Sequence, residues 1–212
     1  FSEYFHHHNR LSGKLENSGD DIIEVAISEF FPKSKSAYGF LNSNAALSAF
    51  VYRYKDTVQN LIHLRESTLI TQENRLHYYH TSRILANTIE MVVGAIFYDS
   101  RNLDTAIAFC KKLFLNDLAR NICIVFENKE SLNNRERAFK EITHGAFSIS
   151  FAMSEIIISS VDGTPVLNLN QKDAVSALTQ FLSNNFWCLM GWGGPGTLLV
   201  AKYKPKHKMF SD

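Results

Sequence analysis

The sequence predicts a mainly α chain, with a helical domain over residues 1–126 and a small α+β unit over residues 135–212. Three observations carry this reading. Before residue 126, long segments repeat apolar residues at helical spacing. After it, "AFSISFAMSEIIISSV" is β-rich in composition, and "VDGTPV" supplies an Asp-Gly turn. Between the two, "FENKESLNNR" is a polar stretch that suits a boundary.

The elements follow in order. Residues 13–31 read as a helix with a wide apolar face of Ile22, Ile23, Val25, Ala26, Ile27, Phe30 and Phe31, ended by Pro32. Residues 42–64 combine polar capping residues with apolar spacing near the helical repeat. Residues 66–80 are polar and read as a connection containing a short helix. The stretch 81–98 is apolar around much of its girth, which predicts a central helix. "SRNLD" then turns a polar corner into another amphipathic helix at 103–115. In the second unit, "NQKDAVSALTQFLSNNF" reads as one amphipathic helix and "TLLVAKYK" as a final strand.

Composition narrows the class. With 45% apolar and 20% charged residues, the chain can bury enough surface to offset its conformational entropy, which excludes disorder. The formal charge of +1 gives no global signal for nucleic acid. Charge distribution does: Lys202, Lys204, Lys206 and Lys208 alternate along the C-terminal tail. An extended chain would set these four ammonium groups on one edge, about 6–7 Å apart, a spacing suited to phosphates along an RNA strand. The alternative reading is an edge strand guarded by lysines. Cys110, Cys123 and Cys188 are scattered and odd in number, which predicts a reducing compartment. No apolar run is long enough for a membrane span. The first residue is Phe1 rather than Met; a removed targeting peptide or a shortened chain accounts for this equally well.

Two segments resemble a known family. RNase III domains carry a helix of the form E-x-x-E-x-x-G-D and, further along, a second of the form L-A-D-x-x-E-A-x-x-G-A-I. This chain has "GKLENSGDDIIEVAISEFF" and "ILANTIEMVVGAIFYDSRNLDTAIAF". In the second, Leu85, Ala86, Glu90, Gly94, Ala95 and Ile96 fall in register, with Tyr98 just beyond. The resemblance covers most of residues 10–115 and implies an RNase III-like helical domain. In active members the four acidic positions hold Mg²⁺, which activates water against the scissile phosphate. Glu16 and Asp20 stand four apart and share a helix face, as do Asn87 and Glu90 at three apart.

The chain departs from the pattern at two of those four positions. The family's first Glu is Gly13 here, and its Asp is Asn87. Glu16, Asp20, Asn87 and Glu90 are therefore read as a vestigial acidic set, with no catalytic residue, no metal and no cofactor. Inactive RNase III-like domains resemble components of the mitochondrial large ribosomal subunit. That implies a non-enzymatic, RNA-binding structural protein of the mitochondrial matrix. Its partners would be ribosomal RNA, other mitochondrial ribosomal proteins and a second RNase III-like protein as heterodimer mate. The alternatives are a Mg²⁺-dependent double-stranded-RNA endoribonuclease and a non-catalytic subunit of an RNA-processing complex. The strands, turn and helix of the second unit resemble the latter half of a double-stranded-RNA-binding domain, with a lineage-specific extension as the alternative.

Other signals point to structure. "GWGGPG" at 191–196 fits a dinucleotide motif in form, but Pro195 and "TLLVAKY" follow where a helix is needed. His6, His7, His8, His77 and His80 lack partners at zinc-type spacing. Trp187, Trp192, Phe181 and Phe186 read as core of the second unit.

Overall fold

A computed structural model describes residues 2–32, 35–53, 78–127, 129–152, 155–170 and 174–191. The chain is mainly helical, with a small three-stranded antiparallel sheet towards its C-terminal end. The helices are α1 (Ser2–Phe30), α2 (Lys35–Leu41), α3 (Asn44–Arg53), α4 (Tyr78–Ser100), α5 (Leu103–Phe114), α6 (Asp117–Phe126) and α7 (Leu132–Ile142). There follow β1 (Phe147–Phe151), β2 (Glu155–Ser160), β3 (Pro165–Asn170), α8 (Ala174–Asn184) and a 3-10 helix (Phe186–Met190).

Local chemistry sets the corners between helices. Asn102, Asn116 and Ser131 each cap the helix that follows, and the Asn102 side chain accepts from the amides of Asp104 and Thr105. Such caps satisfy N–H groups that have no partner inside the helix. They allow three short helices to follow one another with few linking residues.

The two longest helices, α1 and α4, form the central pair. Helix α3 packs on α4, and α5 lies against both α1 and α4. Aromatic pairs lock the neighbours: Phe50 of α3 meets Phe114 of α5 edge-on at 5.0 Å, and Phe40 of α2 stacks on Phe126 of α6 at 5.6 Å. Each such contact adds roughly 0.5–1.5 kcal/mol beyond area burial. Among the described residues, no helix is long and apolar enough to cross a membrane.

The sheet runs β1-β2-β3, with Ile149 opposite Ile158 and Ile156 opposite Leu169. Buried and exposed residues alternate along β1, so Phe147, Ile149 and Phe151 face the core and Ser148 and Ser150 face outward. The predicted Asp-Gly turn is the β2–β3 hairpin, where Asp162 accepts hydrogen bonds from the Ser160 hydroxyl and the Thr164 amide. Phe181 of α8 meets Phe147 of β1 at 5.0 Å and Phe139 of α7 at 6.4 Å, so both helices pack at one face of the sheet. Buried Arg135 of α7 donates to the Val125 carbonyl at 3.0 Å and lies 4.0 Å from the Phe151 ring. It thereby ties α6, α7 and β1 together. Helix α3 also packs on α8 and the 3-10 helix, and one cluster of buried apolar side chains extends from Ile22 to Met190.

Several elements go beyond the sequence reading, the 3-10 helix and strand β3 among them. Helices α2 and α6 occupy segments not assigned to any element, and α7 begins inside the polar stretch read as a boundary. The α7 sequence has few apolar residues, yet Ala138, Phe139, Ile142 and the Arg135 stem fall on one face and are buried there. The final strand expected in "TLLVAKYK" and the connection at 66–77 lie outside the described residues. So do residues 54–64 of the second predicted helix.

Candidate functional site

The site is built by the crossing of α1 and α4, and glycines set its depth. A Cβ on Gly19 would stand 1.7 Å from the Glu90 carbonyl oxygen, and one on Gly94 would stand 2.1 Å from that of Leu15. Each glycine thus receives the partner helix's backbone, an approach that only a hydrogen at Cα permits. These contacts hold the two helices too close for any larger residue at either position.

Close approach brings residues of the two motifs together. Asn87 Nδ2 of α4 donates to Glu16 Oε1 of α1 at 3.0 Å. Glu90 lies one helical turn along α4 and is only 7% exposed. Burial first, then the charges of Asp20 and Glu16, push its pKa up from 4.5 to about 7, with Arg83 opposing. Glu16, Asp20, Asn87 and Glu90 therefore lie close together where α1 and α4 cross. Gly13, on the same helix, has nothing within 4 Å of the place where a Cβ would be. Position 13 therefore offers no side-chain ligand.

The donor set does not suit the Mg²⁺ that the family resemblance implies. Asn87 presents its amide N–H to Glu16, which uses as an acceptor the oxygen a cation would need. Among the described residues, no group of three or more His, Cys, Asp or Glu side chains is placed to hold a metal ion. The cluster is held by a hydrogen bond and by helix packing.

Sequence reasoning missed part of this flank. Glu24 stands four residues beyond Asp20, so Glu16, Asp20 and Glu24 form one row along α1. Asn42, which ends α2, donates to Glu24 Oε1 at 3.0 Å, while its own Oδ1 is buried without a partner. Tyr38 of α2 lies beside Glu24; burial and then the Glu24 charge raise its pKa. Only the four-residue period hinted at Glu24, because the family motif stops at Asp20.

The other flank of α1 is apolar. Leu11, Ser18 and Val25 recur at seven-residue spacing, and the Tyr98 hydroxyl of α4 meets Ser18 Oγ at 3.4 Å. Leu11, Val25 and Tyr98 are all more than two-fifths exposed there, at 53%, 43% and 52%.

The remaining candidates divide cleanly. Lys202, Lys204, Lys206 and Lys208, and also His77 and Trp192, lie outside the described residues. Nothing is described of the side chains of His6, His7, His8 and His80. Phe181 and Phe186 are buried, and Trp187 packs against the same core. Gly191 ends the 3-10 helix at φ 73, with the His144 ring 3.5 Å from where its Cβ would lie.

No family model, no curated protein and no solved structure matches this chain.

Proposed function

We propose that this chain is a non-catalytic, RNA-associated structural component of the mitochondrial large ribosomal subunit, built on an RNase III-like helical scaffold. One observation carries the reading. The two segments that resemble the RNase III signature pack directly on each other, joined by the Asn87–Glu16 hydrogen bond, with the glycine of each motif at the contact. A chance likeness of two short motifs gives no reason for their glycines and acidic positions to meet in space.

The loss of catalysis rests on the same atoms. Gly13 supplies no ligand, and Asn87 supplies a neutral amide already engaged with Glu16. Long duplex RNA incubated with the purified chain and Mg²⁺ or Mn²⁺ is expected to stay intact. A metal-dependent product with two-nucleotide 3′ overhangs, abolished by Glu90→Ala, would instead establish the endoribonuclease reading. That second reading draws on the convergence of Glu16, Asp20 and Glu90.

In this reading, RNA contact falls to other surfaces. Lys202, Lys204, Lys206 and Lys208 supply the tail's positive charge. The three-stranded sheet followed by α8 supports the likeness to the latter half of a double-stranded-RNA-binding domain. The apolar flank of Leu11, Val25 and Tyr98 suits pairing with a second RNase III-like protein. Sedimentation in high salt provides the test: the native protein should travel stoichiometrically with large mitochondrial ribosomal subunits. Sedimentation apart from them, in a smaller RNA-processing complex, would overturn the ribosomal assignment.

A further inference from the structure

Among the described residues, the buried charged side chains are Glu90 and Arg135. Glu90 can shed its charge by taking up a proton, whereas a guanidinium keeps its charge across the whole range in which proteins fold. Arg135 therefore stays a cation although it is only 9% exposed; burial lowers its pKa, and the Glu127 charge opposes that shift. No carboxylate stands within ion-pair distance of it among the described residues. A buried cation without a counter-ion is costly, and arginines this deep are normally paired.

The contacts that Arg135 makes fix its head without using it up. Its Nε donates to the Val125 carbonyl of α6, and the Phe151 ring of β1 lies 4.0 Å from the guanidinium carbon. Of the N–H donors that a guanidinium carries, this hydrogen bond engages Nε alone. Nη1 and Nη2 have no partner among the described residues. Neither is sealed from solvent, because the buried polar atom without a partner is Asn42 Oδ1. A backbone carbonyl and an aromatic face thus hold the fork in place, with its outer edge open and its access narrow. Parallel N–H···O bonds to a planar oxyanion fit that edge. Charge selects among anions. Glu127 acts on Arg135, and the Glu130 carboxylate lies 3.4 Å from the side-chain amide of neighbouring Asn134. These acids repel a dianionic phosphate and an RNA strand, whereas a carboxylate balances the single charge of Arg135.

We propose that the open edge of the Arg135 guanidinium, where α6, α7 and β1 meet, is a binding site for a carboxylate group. A free small acid and an Asp or Glu side chain on a partner polypeptide present the same group. The site is independent of the ribosomal reading, since it uses neither motif of α1 and α4. Charge-assisted hydrogen bonds from Nη1 and Nη2 give the attraction, and the Phe151 ring and Val125 carbonyl set the direction from which the carboxylate enters.

Acetate is the probe, added to the full chain at constant ionic strength and followed by NMR of the Arg135 Nε–H and of the Val125 and Phe151 amides. Saturable shifts are expected with acetate and not with chloride, and inorganic phosphate should bind more weakly. Arg135→Lys keeps the charge but not the fork, and should bind roughly tenfold more weakly. Phe151→Leu keeps Arg135 and frees its head, so it too should weaken binding, which preserves the test if the lysine variant does not fold. A short peptide containing one Glu, compared with its Gln counterpart, separates the sources. Binding of acetate alone supports a site for free acids, and binding of the Glu peptide as well supports an acidic side chain. Equal responses to acetate and chloride would mark Arg135 as a solvated structural residue and overturn the proposal. Tighter binding of phosphate, or unchanged binding in both variants, would also overturn it. So would binding that appears only in Glu127→Gln, which would show that the Glu127 carboxylate itself fills the fork.

Discussion

Gly19→Ala is expected to destabilise the fold by about 2 kcal/mol, lowering Tm by about 4–8 °C. The added methyl would stand 1.7 Å from the Glu90 carbonyl oxygen, and that atom belongs to the backbone of α4. It cannot swing aside as a flexible side chain could, so α1 and α4 must separate. Overpacking of this kind costs about 1–3 kcal/mol, occasionally more, and the better helix propensity of alanine returns at most about 1 kcal/mol. Gly94→Ala, at 2.1 Å from the Leu15 carbonyl oxygen, should behave alike. Gly13→Ala provides the contrast. It lies within the same helix with nothing within 4 Å, so the propensity gain is unopposed and stability should rise by about 0.5–1 kcal/mol. Urea unfolding of the three variants, read at the midpoint, checks the signs. A neutral Gly19→Ala would refute the close crossing and with it the geometry of the site. Separation of the helices should also break the Asn87–Glu16 hydrogen bond, so NMR of the Asn87 side-chain amide offers a second reading.

The stability of the fold should fall as pH rises from about 4.5 to about 7, through Glu90. Burial, Asp20 and Glu16 all disfavour its charged form. The folded chain therefore holds this proton more tightly than the unfolded chain does. The resulting stabilisation is complete below the unfolded pKa of 4.5 and is lost once pH passes the folded value of about 7. A difference of that size corresponds to at most about 3 kcal/mol. Glu90→Gln keeps the shape and carries no titrating proton. The variant should be more stable than the wild type at pH 8 and close to it at pH 4.5, with the difference growing across the window. If the difference between the two proteins is the same at both pH values, Glu90 does not titrate within that window.

Much of the helical part was legible in the sequence because local signals there agree with packing. The apolar face of 22–31, the girth of 81–98 and the spacing at 103–115 each gave a helix that the structure contains. Agreement failed where burial is light or local. Helix α7 has Arg135, Ala138, Phe139 and Ile142 as its inward face, too few apolar residues to stand out from a polar stretch. Strand β3 alternates only weakly, with its inward positions half-buried, and its pairing with β2 is what defines it.

The sequence by itself determined which residues could form the acidic set, since the intervals between Glu16 and Asp20 and between Asn87 and Glu90 follow from helical periodicity. It also determined that Gly13 and Asn87, at two positions of the motif the chain resembles, bear no carboxylate in any fold. Tertiary structure alone decided that these residues meet, that Asn87 serves as a donor to Glu16, and that Glu90 holds its proton to about pH 7. It alone extended the row to Glu24 and set Asn42 beside it. The physical reason is that hydrogen-bond pairing and desolvation depend on what the neighbouring helix presents. That depends on how closely two backbones approach, which here is set by a hydrogen in place of a methyl at Gly19 and Gly94.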